Sequence, residues 1–247
     1  MNRTRIEWVK NDDGSQGYTW NPIEGHCPNE CWYCYANAMR KRFGWYDGLP
    51  RLKRDWRVGS LRSGSTVFVC SMIELFLPGL YMPTSLLTKT VVAATMELPH
   101  IRWLFLTKQP SMVRQLLPPL SWLGVTLTGE GSVHTDDLDF SLTPGVFGSF
   151  EPLLGDMSLG EVRNLDWVIV GSLNRSGRAV RPENGGTREE WVWPIIEMAD
   201  SLGIPVFLKE ELLRFYPELP RRKDVPWLKA TPQEKGEKHD NSGDTNR

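Results

Sequence analysis

Short, continuous apolar runs recur along this chain, and each is followed at once by polar or glycine-rich residues. They occupy residues 67–70, 101–106, 123–127, 146–150, 167–170 and 205–208, with a first strand expected near 18–22. Strict apolar–polar alternation marks a strand with one wet face, whereas unbroken Val/Ile/Leu/Phe runs mark strands covered on both faces. Between the runs, apolar positions spaced three and four apart predict helices over 35–43, 84–98, 111–117 and 188–201. The second of these is expected to bury Leu86, Leu87, Thr90, Val91, Ala94 and Leu98 on one stripe. The last stops at Gly203 and Pro205, a common helix ending.

Strands that alternate with helices indicate α/β architecture with a parallel sheet and right-handed crossovers. Segments 129–144 and 153–165 carry only weak helical patterns, so the expected fold is an incomplete or irregular (β/α) TIM-like barrel of six or seven strands. Residues 1–228 read as one domain. Residues 229–247, rich in Lys, Glu, Asp, Asn and Gly, read as a disordered polar tail. The length of 247 residues suits a single barrel of that class, and the formal net charge of −1 gives no global attraction to nucleic acid or membrane. No apolar run approaches the ~18 residues that cross a bilayer, and the first residues lack a signal-peptide core. A reducing, cytoplasmic setting is therefore expected.

The chemistry concentrates in one short stretch, His26-Cys27-Pro28-Asn29-Glu30-Cys31-Trp32-Tyr33-Cys34-Tyr35. The spacing C-x3-C-x2-C offers three thiolates, which fit three corners of a cubane iron–sulfur cluster that four would normally hold. An iron without a protein ligand can bind a substrate, as open metal positions do in reactive sites. The structural alternative is a zinc ion held by His26 and the three thiols, although adjacent ligands would have to bend back onto one ion. A disulfide framework has little support from four cysteines in a chain of this length. Cys70 lies inside an apolar strand and reads as a small core residue.

This cysteine stretch resembles the signature of the radical S-adenosylmethionine superfamily. Further blocks are similar to a phage-associated family of unknown function within it: Thr19-Trp20-Asn21-Pro22, Phe68-Val69-Cys70-Ser71-Met72, Leu106-Thr107-Lys108, Trp122-Leu123-Gly124-Val125-Thr126, Glu151-Pro152-Leu153-Leu154-Gly155 and Asp166-Trp167-Val168-Ile169-Val170-Gly171. The resemblance implies a 4Fe–4S cluster on Cys27, Cys31 and Cys34, whose open iron chelates S-adenosyl-L-methionine. It implies reductive cleavage to methionine and a 5′-deoxyadenosyl radical, fed by an external one-electron reductant and directed at a substrate the sequence does not identify. It places Ser71, Met72 and Glu74 near the methionine amino group and the segment around Gly171 and Ser172 near the adenosyl portion. Relatives tend to carry an acidic residue soon after the Val-Gly ending, where this chain has Ser172, Leu173 and Asn174.

Read from the residues themselves, the strand ends are unusually polar, and in parallel α/β barrels the reactive face lies there. Lys108, Glu151 and Lys209 are the candidate catalytic groups, with a structural Glu–Lys pair as the modest alternative. Tyr33, Tyr35 and Thr126 join Ser71, Met72, Glu74, Gly171 and Ser172 as candidate cofactor contacts. Residues 40–62 hold eight basic and two acidic residues with Trp45, Tyr46 and Trp56 interleaved. Arg40, Lys41, Arg42, Arg51, Lys53, Arg54 and Arg57 could track phosphates, or the stretch could be a solvated insertion docked on the domain. Two other functions stay open: a cluster protein that senses redox state or carries electrons, and a zinc-stabilised nucleic-acid-binding module.

Overall fold

The computed structural model of the protein describes residues 1–77, 82–131, 133–175 and 178–228. The tail expected to be disordered, 229–247, lies outside them. In chain order the strands are β1 (Asn2–Arg3), β2 (Tyr18–Trp20), β3 (Ile23–Glu24), β4 (Arg51–Leu52), β5 (Thr66–Val69), β6 (Arg102–Thr107), β7 (Ser121–Thr126), β8 (Gly145–Phe150), β9 (Trp167–Val170), β10 (Asn174–Arg175), β11 (Arg178–Ala179) and β12 (Val206–Leu208). The helices are α1 (Tyr35–Phe43), α2 (Met82–Met96), α3 (Glu189–Ser201) and α4 (Glu210–Phe215).

The central sheet has eight strands in the order β1-β2-β5-β6-β7-β8-β9-β12. Every neighbouring pair from β2 to β12 is parallel, and β1 adds an antiparallel edge. The apolar runs thus become a parallel sheet, one strand longer than the expected count because of the short β1. β3 and β4 form a separate antiparallel pair. The cysteines therefore follow β3, one small element after the first parallel strand.

Side chains alternate across this sheet and sort into two buried clusters. Val67, Val69, Trp103, Phe105, Val125, Val168 and Leu208 join the larger one, together with Val91 and Val92 of α2, Val192, Ile195, Ile196 and Ala199 of α3, and Leu212 and Leu213 of α4. The other comprises Phe68, Leu104, Phe147, Trp167, Ile169 and Phe207, with Trp8, Val9 and Val225 from the chain ends. Trp8 plugs this face, its ring centroid 5.0 Å from Phe68, 5.7 Å from Phe147 and 5.9 Å from Trp167. Burying each such side chain stabilises the fold by about 1.5–3 kcal/mol. Gly124 makes room for it: a Cβ there would come within 2.3 Å of the Phe147 ring.

The outer edge of β12 is covered by the C-terminal segment, through Leu208 N–H to Arg222 O and Asp224 N–H to Val206 O. The Glu7 carboxylate then accepts from the Glu210 N–H at 3.1 Å and from Lys223 Nζ at 2.9 Å. These bonds tie the chain just after β1 to the chain just after β12.

Two expected elements differ. Residues 111–117 do not form a helix; a single 3-10 turn at Pro110–Met112 gives way to extended chain at Val113. The segment sits between Pro110 and Pro118, too short to sustain a helix alone, and the Leu117 N–H donates to Leu142 O instead of its own turn. In α2 the buried stripe is Thr88, Val91, Val92 and Thr95, and Leu86 is 64% exposed. Of the expected stripe, Leu87, Val91, Ala94 and Leu98 do pack on the larger cluster, so the face is shifted only slightly, toward Thr88 and Thr95, whose hydroxyls are satisfied on Leu75 O at 2.7 Å and Val92 O at 2.6 Å.

Candidate functional site

Seven parallel strands present their carboxyl ends along one edge of the sheet, and the polar residues that follow them meet there. One group centres on Glu74, buried in the turn after β5 and held by four hydrogen bonds. Its Oε1 accepts from the Phe76 N–H at 3.0 Å and Thr107 Oγ1 at 2.9 Å. Its Oε2 accepts from the Lys108 N–H at 2.9 Å and Asn29 Nδ2 at 3.1 Å. A carboxylate offers about four lone-pair directions, so this one is fully used. Asn29 belongs to the cysteine stretch, and its Oδ1 accepts from Gln109 Nε2 at 2.9 Å. The Glu74 N–H also lies 3.5 Å from Cys27 Sγ. Glu74 thus clasps the cysteine stretch to the ends of β5 and β6.

A second clasp comes from α1. The Tyr35 hydroxyl donates to Ser71 O at 2.7 Å. Sheltering of that phenol end pushes its pKa up to about 12, even though 48% of the residue faces solvent. Ser71 Oγ donates to Asn21 Oδ1 at 3.2 Å, and Met72 O accepts from the Arg40 guanidinium at 3.3 Å. Cys34 is the N-cap of α1, whose last turn carries Arg40, Lys41 and Arg42 before Gly44 closes it in the left-handed conformation.

All four cysteines are free thiols. Burial raises the Cys27 pKa against the opposing backbone N–H of Glu74. Burial and the neighbouring Cys31 also raise Tyr33, with Cys34 contributing. Cys70 is packed in the larger core cluster as a small core residue, but it lies one residue past β5 with a φ of 55°, not inside the strand as expected. The donor chemistry of Cys27, Cys31 and Cys34 fits an iron–sulfur centre. Among the described residues, however, no three His, Cys, Asp or Glu side chains are gathered as they stand to hold a metal ion. Binding a cluster requires the stretch to draw its sulfurs together.

Across the edge, Lys108 Nζ reaches Thr126 Oγ1 at 3.3 Å and stands 5.8 Å from the centre of the Tyr33 ring. This brings three candidate residues from the cysteine stretch, β6 and β7 into one place. Beyond β8, β9 and β12 lies a charged cluster in which Lys209 Nζ bonds Glu151 and pairs with Glu211 at 3.0 Å. Burial alone would lower the Lys209 pKa; Glu151 and Glu211 outweigh it and hold the ammonium above its ordinary value. Gly171 is the floor of this cluster, since a Cβ there would lie 2.8 Å from Lys209 Cδ and 3.0 Å from Glu151. Asn174 Nδ2 extends the cluster by reaching Glu211 at 3.3 Å. Ser172 is buried and its Oγ has no hydrogen-bond partner among the described residues.

The sequence signature of a family described as a protein of unknown function (DUF5131) matches residues 3–214. The chain belongs to the DUF5131 family. Comparison with curated proteins and with solved structures returns no match. The DUF5131 match runs from β1 into α4 and so contains every strand-end residue named above.

One expectation for this DUF5131 chain needs correction. Arg40 is buried and cannot track a phosphate: its guanidinium bonds Gly25 O at 3.0 Å, Met72 O and Asn37, and pairs with Asp47 at 3.4 Å. The reason is its position on the inner face of α1, one turn after Ala36. Arg51 pairs with Glu24 at 2.9 Å, while Lys41, Arg42, Arg54 and Arg57 are exposed. Asn29, Gln109, Asn174 and Glu211 were not among the expected site residues. Their only sequence signal is an amide or carboxylate one or two residues from a candidate. No helix of the described residues is long and apolar enough to cross a membrane.

Proposed function

We propose that this protein is a radical S-adenosylmethionine enzyme on a barrel-like scaffold. The barrel reading is supported by strand order and layering. From β2 to β12 the order follows the sequence without reversal, unlike a doubly wound sheet, which reverses at its ligand crevice. The helices α2, α3 and α4 all add to the same buried cluster. The Glu7 bonds across the two ends of the sheet are what a nearly closed barrel requires.

One observation carries the functional reading: Glu74 fastens the three-cysteine stretch to the same sheet edge that holds Lys108, Glu151 and Lys209. Cys27, Cys31 and Cys34 would hold a 4Fe–4S cluster. Such a cluster would supply the one electron needed to cleave S-adenosylmethionine reductively to methionine and a 5′-deoxyadenosyl radical. The protein's own groups bind and orient. Ser71 O and Met72 O are occupied by Tyr35 and Arg40, so this turn acts mainly as a fixed wall. Lys209 keeps its proton at Nζ across the neutral range and serves as a donor and fixed positive charge, not as a base. Glu151 and Glu211 retain acceptor capacity for ribose hydroxyls or an ammonium group. Lys108 Nζ, beside Thr126, can donate to an anionic or carbonyl oxygen. The zinc alternative finds no support at His26, whose ring nitrogens face Glu30 at 2.9 Å and Asp47 at 3.3 Å.

Anaerobic reconstitution with iron and sulfide, followed by dithionite and S-adenosylmethionine, tests the proposal. Release of 5′-deoxyadenosine is expected from the wild type and not from the C27A/C31A/C34A variant. Zinc as the only stoichiometric metal in oxygen-free preparations, or a cluster that never cleaves S-adenosylmethionine with any strong reductant, would refute it.

A further inference from the structure

Among the described residues, exposed aromatic side chains are concentrated in one place. Five of the six, Trp32, Tyr35, Phe43, Trp45 and Tyr46, fall within residues 32–46; the sixth is Phe140. Bulky rings left in water over so short a stretch mark a contact surface. Their partners are cations. The Arg42 guanidinium lies 5.3 Å from the Phe43 ring centre, Arg51 lies 3.8 Å from Tyr46, and Arg175 lies 5.5 Å from Trp32. Phe43 and Trp45 stack on each other at 5.4 Å with an interplanar angle of 22°. Within residues 40–49 the one carboxylate, Asp47, is engaged by Arg40 and His26, so its charge is largely offset.

We propose that this surface, centred on Lys41, Arg42, Phe43 and Trp45, binds single-stranded nucleic acid. Planar rings stack on unpaired bases, and neighbouring guanidinium and ammonium groups track the phosphates between them. Aromatic rings and Arg are enriched at protein–protein interfaces too, but Lys is depleted there, whereas here Lys41 stands exposed next to Arg42 and the same stretch adds exposed Arg54 and Arg57, a density of cations that suits a phosphate backbone. A duplex hides its base faces, so its rings would find nothing to stack on. The surface adjoins the cysteine stretch, but the inference does not depend on any cluster being bound.

Fluorescence anisotropy with labelled single-stranded DNA and RNA of mixed sequence, using the full chain under anaerobic conditions, tests this directly. Both strands, or one of them, should bind more tightly than a duplex of the same sequence, with affinity falling as salt rises. The F43A/W45A variant should bind at least about tenfold more weakly, as expected for lost base stacking. The K41A/R42A variant should flatten the salt dependence by about 0.7 in log–log slope per phosphate contact removed. These side chains are exposed, so both variants should keep the wild-type melting temperature, and 5′-deoxyadenosine release without an added substrate serves as a separate readout of the cluster site. Absence of single-strand binding at low salt, equal affinity for duplex, or binding unchanged in both variants would overturn the proposal, including where an acidic protein binds instead.

Discussion

Glu74 and Glu151 both follow buried strands of one sheet, and their surroundings give them different work. Glu74 is surrounded by neutral donors from four residues, and these use its whole acceptor capacity. Glu151 shares a single ammonium with Glu211, and its side chain keeps 25% of its surface exposed. The first arrangement is closed and holds chain segments together. The second is charged and has room for another group. Burial of a carboxylate is therefore a poor guide to function, and the more useful question is how many of its acceptor sites remain after the fold is satisfied.

Removing each group should separate these roles. Glu74→Ala strands several buried donors, each worth roughly 1–3 kcal/mol when left without a partner, so a loss of about 3–5 kcal/mol in chemical denaturation is expected. Alkylation of Cys27 should also quicken as Asn29 loses its tether. Glu74→Gln, which keeps one acceptor oxygen, should lose about half as much. Lys209→Met leaves Glu151 and Glu211 facing each other, but both reach water and can relax. We expect about 1–2 kcal/mol of stability lost, with S-adenosylmethionine cleavage falling more than tenfold. Equal stability losses in the two variants would break the comparison.

A third carboxylate sharpens it. Glu161 accepts from the Thr135 N–H at 2.7 Å and Thr135 Oγ1 at 2.8 Å, as Glu74 does from its donors, but its remaining partner is His134 at 2.6 Å, which titrates. The hydrogen bond and charge of Glu161 raise His134 above its ordinary 6.5. Burial opposes ionisation of Glu161, yet bonds from Thr135 and His134 hold it below its ordinary 4.5. The His134 contribution is full below 6.5 and fades as pH rises through the raised value; that of Glu161 is full above 4.5 and fades as pH falls through the lowered one. The melting-temperature gap between wild type and His134→Gln should therefore peak between these two values, on the order of a degree for so exposed a pair. A gap that does not vary with pH would show that the histidine acts by packing alone.

The sequence made the strands legible because a strand covered on both faces leaves a continuous apolar run, and the runs 101–106, 123–127 and 167–170 needed adjustment by two residues at most. Helix α1 was legible over 35–43, where Gly44 and a basic last turn are local signals. What failed was set by distant partners. Leu117 follows Leu142, not its own turn, and the α2 face extends to Thr88, whose hydroxyl reaches Leu75 O outside the helix. The site followed the same division. The cysteines and strand-end charges are visible as types and positions, and the Glu151–Lys209 pairing was foreseeable from two charges placed after buried strands. The role of Glu74 was not, because its donors come from Asn29, Thr107 and Lys108, far apart in sequence. Arg40 looked like its basic neighbours and proved to be a buried strut.

The central claim is that three thiols fastened by Glu74 to this edge support a cluster with one iron open to S-adenosylmethionine. The electron paramagnetic resonance spectrum of the reconstituted, reduced protein tests it most directly. The account predicts a reduced-cluster signal whose g-values shift when S-adenosylmethionine is added and which weakens sharply in Glu74→Gln. A cluster signal indifferent to S-adenosylmethionine, or no such signal from a fully reduced thiol loop supplied with iron and sulfide, would contradict it.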